Sequence, residues 1–310
     1  MVILCLWGVL MIGSANGWVY QSDSFEVDPL MIRQFLGFLF GVLLILLIQR
    51  CSYEMLKMIS IPVYLVSIGL LIAVLFFGTG AEEGDTVHRW LPISSYISLQ
   101  PSEIAKIAQI LLFATLFDFL HRRTDRLLLL ILLLAIAAVP LFLVYKEPDL
   151  STTIVLFALT AACFYAAGVP GYYILILVLI LSIGGFLVYR DAVSDLPRFL
   201  NPYQTERILA WLYPEDYALT TAYQSVQSRA AIGSGGLWGK GLFHSSHLVP
   251  IPTTDFIFGI IGEELGFAGG VFMIFLYLFL CVRILLIGSR CQDTFGKIIC
   301  SGVAIMICFQ

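Results

Sequence analysis

Charged residues are scarce in this chain. Only 12% of its 310 residues are Asp, Glu, Lys or Arg, whereas 60% are hydrophobic and the mean hydropathy is +0.95. Soluble proteins carry roughly 25% charged residues, so this balance excludes a soluble globular domain. The net charge of −4 gives no basic surface for nucleic acid. The composition therefore predicts an all-α, polytopic membrane protein.

The cysteines do not have the positions expected of a disulfide-bonded secreted protein or of a metal site. The seven cysteines lie in apolar runs, except Cys51 and Cys291, which lie in loops rich in basic residues. None has zinc-type spacing with any of the four histidines. We therefore expect no disulfide framework and no Cys/His metal site.

Apolar runs, by contrast, fill most of the chain. A hydrocarbon core of about 30 Å needs about 20 apolar residues per helix. The candidate runs are 1–15, 33–49, 59–77, 103–120, 127–145, 151–167, 171–189, 256–287 and 296–310. The first lacks a basic leader and a cleavage site, which favours a membrane helix over a signal peptide. The last run stops at Gln310 within a predicted helix, so we expect a fragment.

The loops between these runs carry opposite charges on alternate sides. Basic side chains on one side are Arg50, Lys57, Arg122, Arg123, Arg126, Arg283, Arg290 and Lys297. The positive-inside rule predicts that this side is cytoplasmic. The connection 190–255 is then a large extracytoplasmic loop, whose aromatic residues and two short amphipathic helices at 203–213 and 221–232 suit an ordered cap. We expect 1–310 to form a single integral membrane domain.

Several ionisable residues are predicted at membrane depth, where charge is costly and by default marks function. Glu103 and Lys106 are three residues apart on one helix face, which suits either a structural ion pair or a functional site. Glu263 and Glu264 are adjacent and point about 100° apart, so only one of them can share a given partner. They either line a cavity or pair with cations and cap re-entrant backbone.

Asp255 lies directly before the apolar run that contains these glutamates. The sequence "TTD" before "FIFGII" is good helix-capping chemistry, so an N-cap is one interpretation. Its position at the predicted water–lipid boundary, below the long aromatic loop, favours a functional carboxylate.

The glycine-rich stretch "SRAAIGSGGLWGKG" (228–241) resembles a phosphate-binding loop but does not match the P-loop pattern. With Arg229 and Lys240 nearby, its backbone could hold a diphosphate, and a flexible hinge is the competing interpretation. Arg89 and Trp90 could likewise be a site or a simple interfacial anchor.

Four motifs together resemble one family. They are "RWL…QPSEIAKIA" (89–108), "EPDLSTTIV" (147–155), "AYQSVQSRAAIGSGGLWGKG" (222–241) and "TDFIFGIIGEELGFAGG" (254–270). In this order they resemble the SEDS family (shape, elongation, division and sporulation), whose members include RodA, FtsW and SpoVE. The details of "QPSEIAKIA" and "IGSGGL" are RodA-like.

The resemblance implies a ten-helix bundle, of which about nine helices are present here. It implies a peptidoglycan glycosyltransferase in the bacterial inner membrane, acting on lipid II at the outer face with a class B penicillin-binding transpeptidase as partner. It places the essential aspartate at Asp255. The substrate-binding candidates are Arg89, Trp90, Gln100, Ser102, Glu103, Lys106, Asp149, Arg207, Gln224, Ser228, Arg229, Lys240, Glu263 and Glu264.

The chain departs from the family pattern in two places. "VPIPTT" before Asp255 lacks the acid and histidine that the family often has there, and the family's C-terminal region is missing. A sugar hydroxyl needs a base as it attacks, which we assign to Asp255, and the leaving diphosphate needs cations, for which Arg89, Arg207 and Arg229 are candidates. A divalent cation could assist.

Three other functions remain open from the sequence. A lipid II flippase would use the intramembrane charges as gating groups, although no inverted repeat is visible. A division-type, FtsW-like polymerase is the second, and a non-catalytic scaffold that recruits transpeptidases is the third.

Overall fold

The computed structural model describes residues 1–15, 29–80, 89–94, 97–120, 127–194, 198, 200, 202–246, 249, 253 and 255–309. Within these residues the chain is predominantly helical. The helices are α1 (Val2–Ala15), α2 (Pro29–Ile48), α3 (Tyr53–Phe77), α4 (Pro101–Leu120), α5 (Leu127–Lys146), α6 (Leu150–Ala166), α7 (Gly171–Ala192), α8 (Pro202–Leu212), α9 (Tyr223–Ser234), α10 (Ile257–Arg290) and α11 (Thr294–Phe309).

The predicted helices are confirmed, with shifts at their ends. The largest shift is in α3, which begins at Tyr53 and not at residue 59, because the Ser52 hydroxyl accepts a hydrogen bond from the Met55 backbone N–H at 3.4 Å. Five described helices are long and apolar enough to cross a membrane, and α1, α6 and α11 are shorter apolar helices. Helix α4 is also 20 residues long, but it carries three charged side chains within that length, Glu103, Lys106 and Asp118.

A small hairpin is the one element that the sequence did not predict among the described residues. Strand β1 (Leu91–Ser94) pairs antiparallel with β2 (Ile97–Leu99), directly before α4. An isolated bridge between Thr79 and Trp90 ties the start of this hairpin to the end of α3. Part of the connection between α3 and α4 is therefore ordered by backbone hydrogen bonds, and Trp90 is held within it.

The chain divides into two compact units. The first comprises Met1–Arg50 and Ile183–Phe279, and the second comprises Cys51–Ser182 and Leu280–Gln310. Each is described below by itself. That the whole chain is a single membrane domain stays a prediction.

Helix α4 forms the centre of the second unit. Phe113 and Phe117 pack edge-on against Phe164 of α6, with ring centroids 5.6 and 5.2 Å apart. The Gln109 amide donates to the Thr160 hydroxyl at 2.6 Å, again between α4 and α6. Because a polar group buried among apolar helices must find a partner, these pairs fix how the two helices face each other.

Glycines set the packing in the first unit, where α9 lies against the start of α10. A Cβ on Gly259 would come within 2.7 Å of the Ser228 hydroxyl, and one on Gly262 would come within 2.8 Å of Ile232. Small residues at these two positions therefore let the backbones approach closely, as at many membrane helix interfaces. This contact places the glycine-rich stretch that follows α9 beside the glutamates of α10.

Candidate active site

Helix α10 is broken at Gly266, next to the paired glutamates. Gly266 has φ 66° and ψ −165°, a conformation that is essentially restricted to glycine. In a continuous helix the carbonyls of Glu263 and Glu264 would accept from the backbone N–H groups of Phe267 and Ala268. The break leaves these four backbone groups without their helical partners.

The glycine-rich stretch 235–241 supplies the missing partners. Lys240 N–H donates to Glu263 C=O at 3.0 Å and Gly241 N–H donates to Glu264 C=O at 2.9 Å. In return, Phe267 N–H donates to Gly236 C=O at 2.9 Å and Ala268 N–H donates to Leu237 C=O at 3.1 Å. A re-entrant segment thus pairs with both sides of the broken helix, so the four backbone groups have partners within the protein. We call residues 235–241 the splint.

The splint changes the interpretation of this glycine-rich motif. The N–H groups of Gly239, Lys240 and Gly241, which were candidates for holding a diphosphate, already donate to backbone carbonyls. Gly239 and Gly241 have φ of 80° and 100°, so the turn needs glycine for its backbone conformation. The motif is therefore a fixed insert in α10, which contradicts the flexible hinge. These three amides are also not available to hold a diphosphate.

Glu263 and Glu264 are fully buried and have different partners, as their orientation predicted. Glu263 Oε1 accepts from Lys240 Nζ at 2.5 Å and from the N–H and hydroxyl of Ser246 at 3.0 and 2.5 Å. These contacts match the interpretation in which the acids pair with a cation and cap re-entrant backbone.

Glu264 also binds the loop formed by residues 240–246. Its Oε1 accepts from the Ser14 hydroxyl of α1 at 2.5 Å, and the backbone N–H groups of Phe243 and Ser245 also donate to this carboxylate. Phe243 N–H donates to the Ser14 hydroxyl as well, at 3.1 Å. Residues 240–246, which precede Asp255 in the chain, are therefore held by hydrogen bonds to two buried carboxylates.

Asp255 itself is exposed, in the turn directly before α10. Within the described residues its carboxylate forms no hydrogen bond or ion pair, and none of the first N–H groups of α10 donates to it. The described structure therefore shows no N-cap bond from this side chain. An exposed, unpaired carboxylate is well suited to accept a proton from a bound hydroxyl.

The remaining candidates of the first unit lie on α8 and α9. Arg207 is exposed on α8, Gln224 is half-buried at the start of α9, and Ser228 is buried against Gly259. Arg229 is exposed and lines a cavity of about 360 Å³ together with Pro214, Glu215, Ala218 and Val226. Of these residues, Arg229 is the cation that lines an open cavity, which it shares with the Glu215 carboxylate.

In the second unit the structure brings Arg89 and Asp149 together. Arg89 donates from Nη2 to Pro148 C=O at 2.6 Å and from Nε to Glu147 C=O at 3.4 Å. Asp149 caps α6, accepting from Thr152 N–H at 3.1 Å and from the hydroxyls of Ser151 and Thr152 at 2.8 Å each. Arg89 thus orients the turn before α6, which weakens its assignment as a phosphate clamp.

Burial alone would raise the pKa of Asp149, but the Thr152 amide, Arg89 and the two hydroxyls outweigh it and hold this pKa below its usual value. Asp149 is therefore ionised at neutral pH and serves as a structural cap.

Glu147 is a residue of this cluster that the sequence did not single out. It lies in the turn between α5 and α6, only 1% exposed, and both carboxylate oxygens have no hydrogen-bond partner within the described residues. Burial raises its pKa from 4.5 to about 8, the charge of Asp149 adds to this, and Arg89 opposes it. A protonated carboxyl at neutral pH follows from this environment. A glutamate in "KEPDL" gives no sequence signal for such burial.

Replacing Glu147 with glutamine should make the stability of the protein less dependent on pH. The raised pKa means that the Glu147 contribution is fully present below about pH 4.5 and is lost as pH rises through about 8. Glutamine imitates the protonated acid and cannot ionise, so the variant should gain a few kcal/mol over the wild type at pH 9. Thermal unfolding in detergent between pH 5 and 9 measures this difference. Glu54→Gln, which removes an exposed acid at the start of α3, is the control, and a wild-type-minus-variant difference that is flat with pH would contradict the assignment.

The other candidates of the second unit lie at the start of α4. Gln100 is half-buried after β2, and Ser102 is fully buried with no partner for its hydroxyl within the described residues. Lys106, which is 2% exposed, donates to Glu103 at 2.8 Å, so the predicted ion pair is present. The pair places a neutralised charge in the first turn of α4.

No group of three His, Cys, Asp or Glu side chains converges as a metal site in the described part of the chain.

Comparison with known proteins agrees with this architecture. The model of the FtsW, RodA and SpoVE cell cycle proteins matches residues 1–310. The chain belongs to this family. A probable peptidoglycan glycosyltransferase FtsW of Trichlorobacter lovleyi is 31% identical over 100% of this chain and 79% of its own length. The peptidoglycan glycosyltransferase MrdB of Escherichia coli is 33% identical over 79% of this chain and 64% of its own length.

Solved structures of the family share the fold. A chain in a study of a peptidoglycan synthase complex that coordinates polymerization and crosslinking has a TM-score of 0.72 and 25% identity, over 97% of this chain and 82% of its own. The rod shape determining protein RodA of Thermus thermophilus has a TM-score of 0.66 and 23% identity, over 98% of this chain and 78% of its own. The predicted SEDS membership and the helical membrane fold are confirmed.

Proposed function

We propose that this chain is a peptidoglycan glycosyltransferase that polymerises lipid II into glycan strands, with Asp255 as the general base. The named glycosyltransferases among its relatives support the reaction class. The observation that carries the assignment of the base is the Asp255 carboxylate, which is exposed and unpaired within the described residues, in the turn directly before α10.

The chemistry needs one group to take a proton and others to stabilise the leaving diphosphate. As the acceptor 4-hydroxyl attacks the anomeric carbon of the donor, its proton passes to Asp255, and the bond from that carbon to the diphosphate oxygen breaks. Arg229 beside its open cavity is the best-placed cation of the first unit for the diphosphate, and Arg207 is a second candidate. Lys240 acts through Glu263 to hold the loop. A divalent cation could add to the stabilisation of the diphosphate.

Purified protein with lipid II and a class B penicillin-binding transpeptidase tests the reaction class. We expect glycan strands on a gel, formed also in the presence of moenomycin. The same preparation in vesicles measures movement of lipid II across the bilayer. Movement without polymer would favour the flippase, and transpeptidase binding with neither activity would favour the scaffold.

The paired state of the intramembrane charges argues against the flippase. Lys106 with Glu103 and Lys240 with Glu263 form ion pairs at 2.8 and 2.5 Å. A gating group has to exchange partners as substrate passes, and these two short pairs suit a fixed structural role better.

A role in elongation, with the active face outside the inner membrane, is the finer part of the proposal. The RodA-like details of "QPSEIAKIA" and "IGSGGL" support it, although relatives carry both the FtsW and the MrdB name. Expression in cells depleted of RodA should restore rod shape. Restored division in cells depleted of FtsW, without restored shape, would assign the chain to division.

A further inference from the structure

A cavity of about 210 Å³ opens in the second unit, where α6 ends, α10 ends and α11 begins. Its lining residues are Tyr165, Ala166, Leu285, Gly288, Ser289, Lys297, Cys300 and Ser301. The positive-inside rule predicts that these helix ends face the cytoplasm, because Arg290 and Lys297 flank them. The cavity lies at the carboxyl-terminal end of α10, whereas Asp255 precedes the first residue of that helix.

Small residues create this space. Gly288 of α10 abuts Cys300 of α11, and a Cβ on Gly288 would come within 2.7 Å of the Cys300 Cβ. With no side chain on Gly288 and only a methyl group on Ala166, the volume between the three helix ends stays open. Close packing would otherwise fill such a gap.

The polar part of the cavity is cationic. The Lys297 ammonium is half-buried and forms no ion pair or hydrogen bond within the described residues. The Asp293 carboxylate, the nearby acid, serves another role: it accepts a hydrogen bond from Gly296 N–H at 2.8 Å and caps α11. Ser289 and Ser301 donate their hydroxyl protons to backbone carbonyls, so Lys297 and Tyr165 remain as the donors available to a ligand.

The remaining lining is apolar and opens onto lipid-facing helix surface. Leu285 is an exposed apolar side chain, as are its neighbours Leu286 and Ile287. A ligand that suits both parts has an anionic head for Lys297 and a hydrocarbon part for Leu285 and Ala166. Basic pockets between membrane helices on the cytoplasmic side bind anionic lipid headgroups.

We propose that this cavity binds the phosphate headgroup of an anionic glycerophospholipid of the inner leaflet, with Lys297 as its counter-charge. The glycerol and the start of the acyl chains then lie along α10 at Leu285. The site goes beyond the proposed glycosyltransferase activity and uses none of its residues.

Lipid retention by the purified full chain tests the proposal. Native mass spectrometry after exchange into mixed micelles counts bound phosphatidylglycerol and phosphatidylcholine. We expect phosphatidylglycerol to be preferred, and Lys297→Gln to reduce its apparent affinity at least tenfold. Ala166→Leu, which fills the cavity and leaves the charge in place, should have a similar effect. Lys146→Gln, at the other end of the helices and stacked on Phe142, is the matched control and should bind as the wild type does.

Two competitors distinguish the possible sources of phosphate. Inorganic phosphate at 10 mM should not displace the lipid, and undecaprenyl phosphate should compete no better than phosphatidylglycerol. Displacement by inorganic phosphate with no effect of Ala166→Leu would mean a free-anion site and overturn the proposal. Preference for undecaprenyl phosphate, or unchanged phosphatidylglycerol binding by a folded Lys297→Gln variant, would overturn it equally. Thermal unfolding in phosphatidylcholine micelles verifies that each variant is folded.

Discussion

Replacing Asp255 with asparagine is expected to lower the rate of glycan-strand synthesis by about 10²–10⁴-fold, which is the range that a general base contributes. Asparagine has the same shape as aspartate but cannot accept the hydroxyl proton. It is also as good an N-cap as aspartate, so a residue that only capped α10 would tolerate this change. The substitution therefore separates the two interpretations of "TTD" that the sequence left open. Polymer yield from lipid II over time measures the effect.

The control for Asp255→Asn is Asp216→Asn, because Asp216 is another exposed acid of the same 190–255 connection. Its removal changes the loop charge by the same amount and should leave the rate within twofold. Asp255→Ala adds the loss of any cap, so equal rates for the asparagine and alanine variants support the base. An asparagine variant with wild-type rate, beside an inactive alanine variant, would assign Asp255 to capping.

The sequence predicted the helices well because membrane helices are a local property. About 20 apolar residues form a span wherever they occur, and the hydrogen bonds of a helix close within the segment. The two amphipathic helices of the cap were also predicted, and they appear as α8 and α9. The β1–β2 hairpin was missed because its two short strands depend on pairing between residues such as Leu91 and Leu99, and on the bridge to Thr79.

The interactions around the candidate site depend on partners that are distant in sequence. Ser14 and Glu264 are 250 residues apart, and Lys240 and Glu263 are 23 apart. Orientation on a helix predicted that the two glutamates need different partners, but not which ones. The burial of Glu147 is equally non-local, since the residue follows an ordinary apolar helix and precedes a proline. Local pattern can therefore nominate charged residues, and only the packed structure shows which are paired.

The second large effect is expected at the break in α10. Gly266→Ala should destabilise the protein by on the order of 3–5 kcal/mol, because the backbone conformation at Gly266 costs any other residue about 1–3 kcal/mol and each orphaned backbone group costs a similar amount. The new methyl group would meet the Gly239 backbone nitrogen, and would lie within 2.7 Å of the Leu237 carbonyl. It would thus push the splint away from the carbonyls of Glu263 and Glu264.

Thermal and denaturant unfolding in detergent measure this loss, and Gly233→Ala provides the control. Gly233 is helical and a Cβ there meets nothing within 4 Å, so alanine should be neutral or slightly stabilising. Gly239→Ala should disturb the same contact between the splint and α10, here from the splint, since its Cβ would meet the Glu264 carbonyl. If the splint acts as one unit, the double variant loses clearly less than the sum of the two single variants. Additive losses, or a Gly266→Ala variant as stable as the wild type, would show that α10 does not depend on the splint.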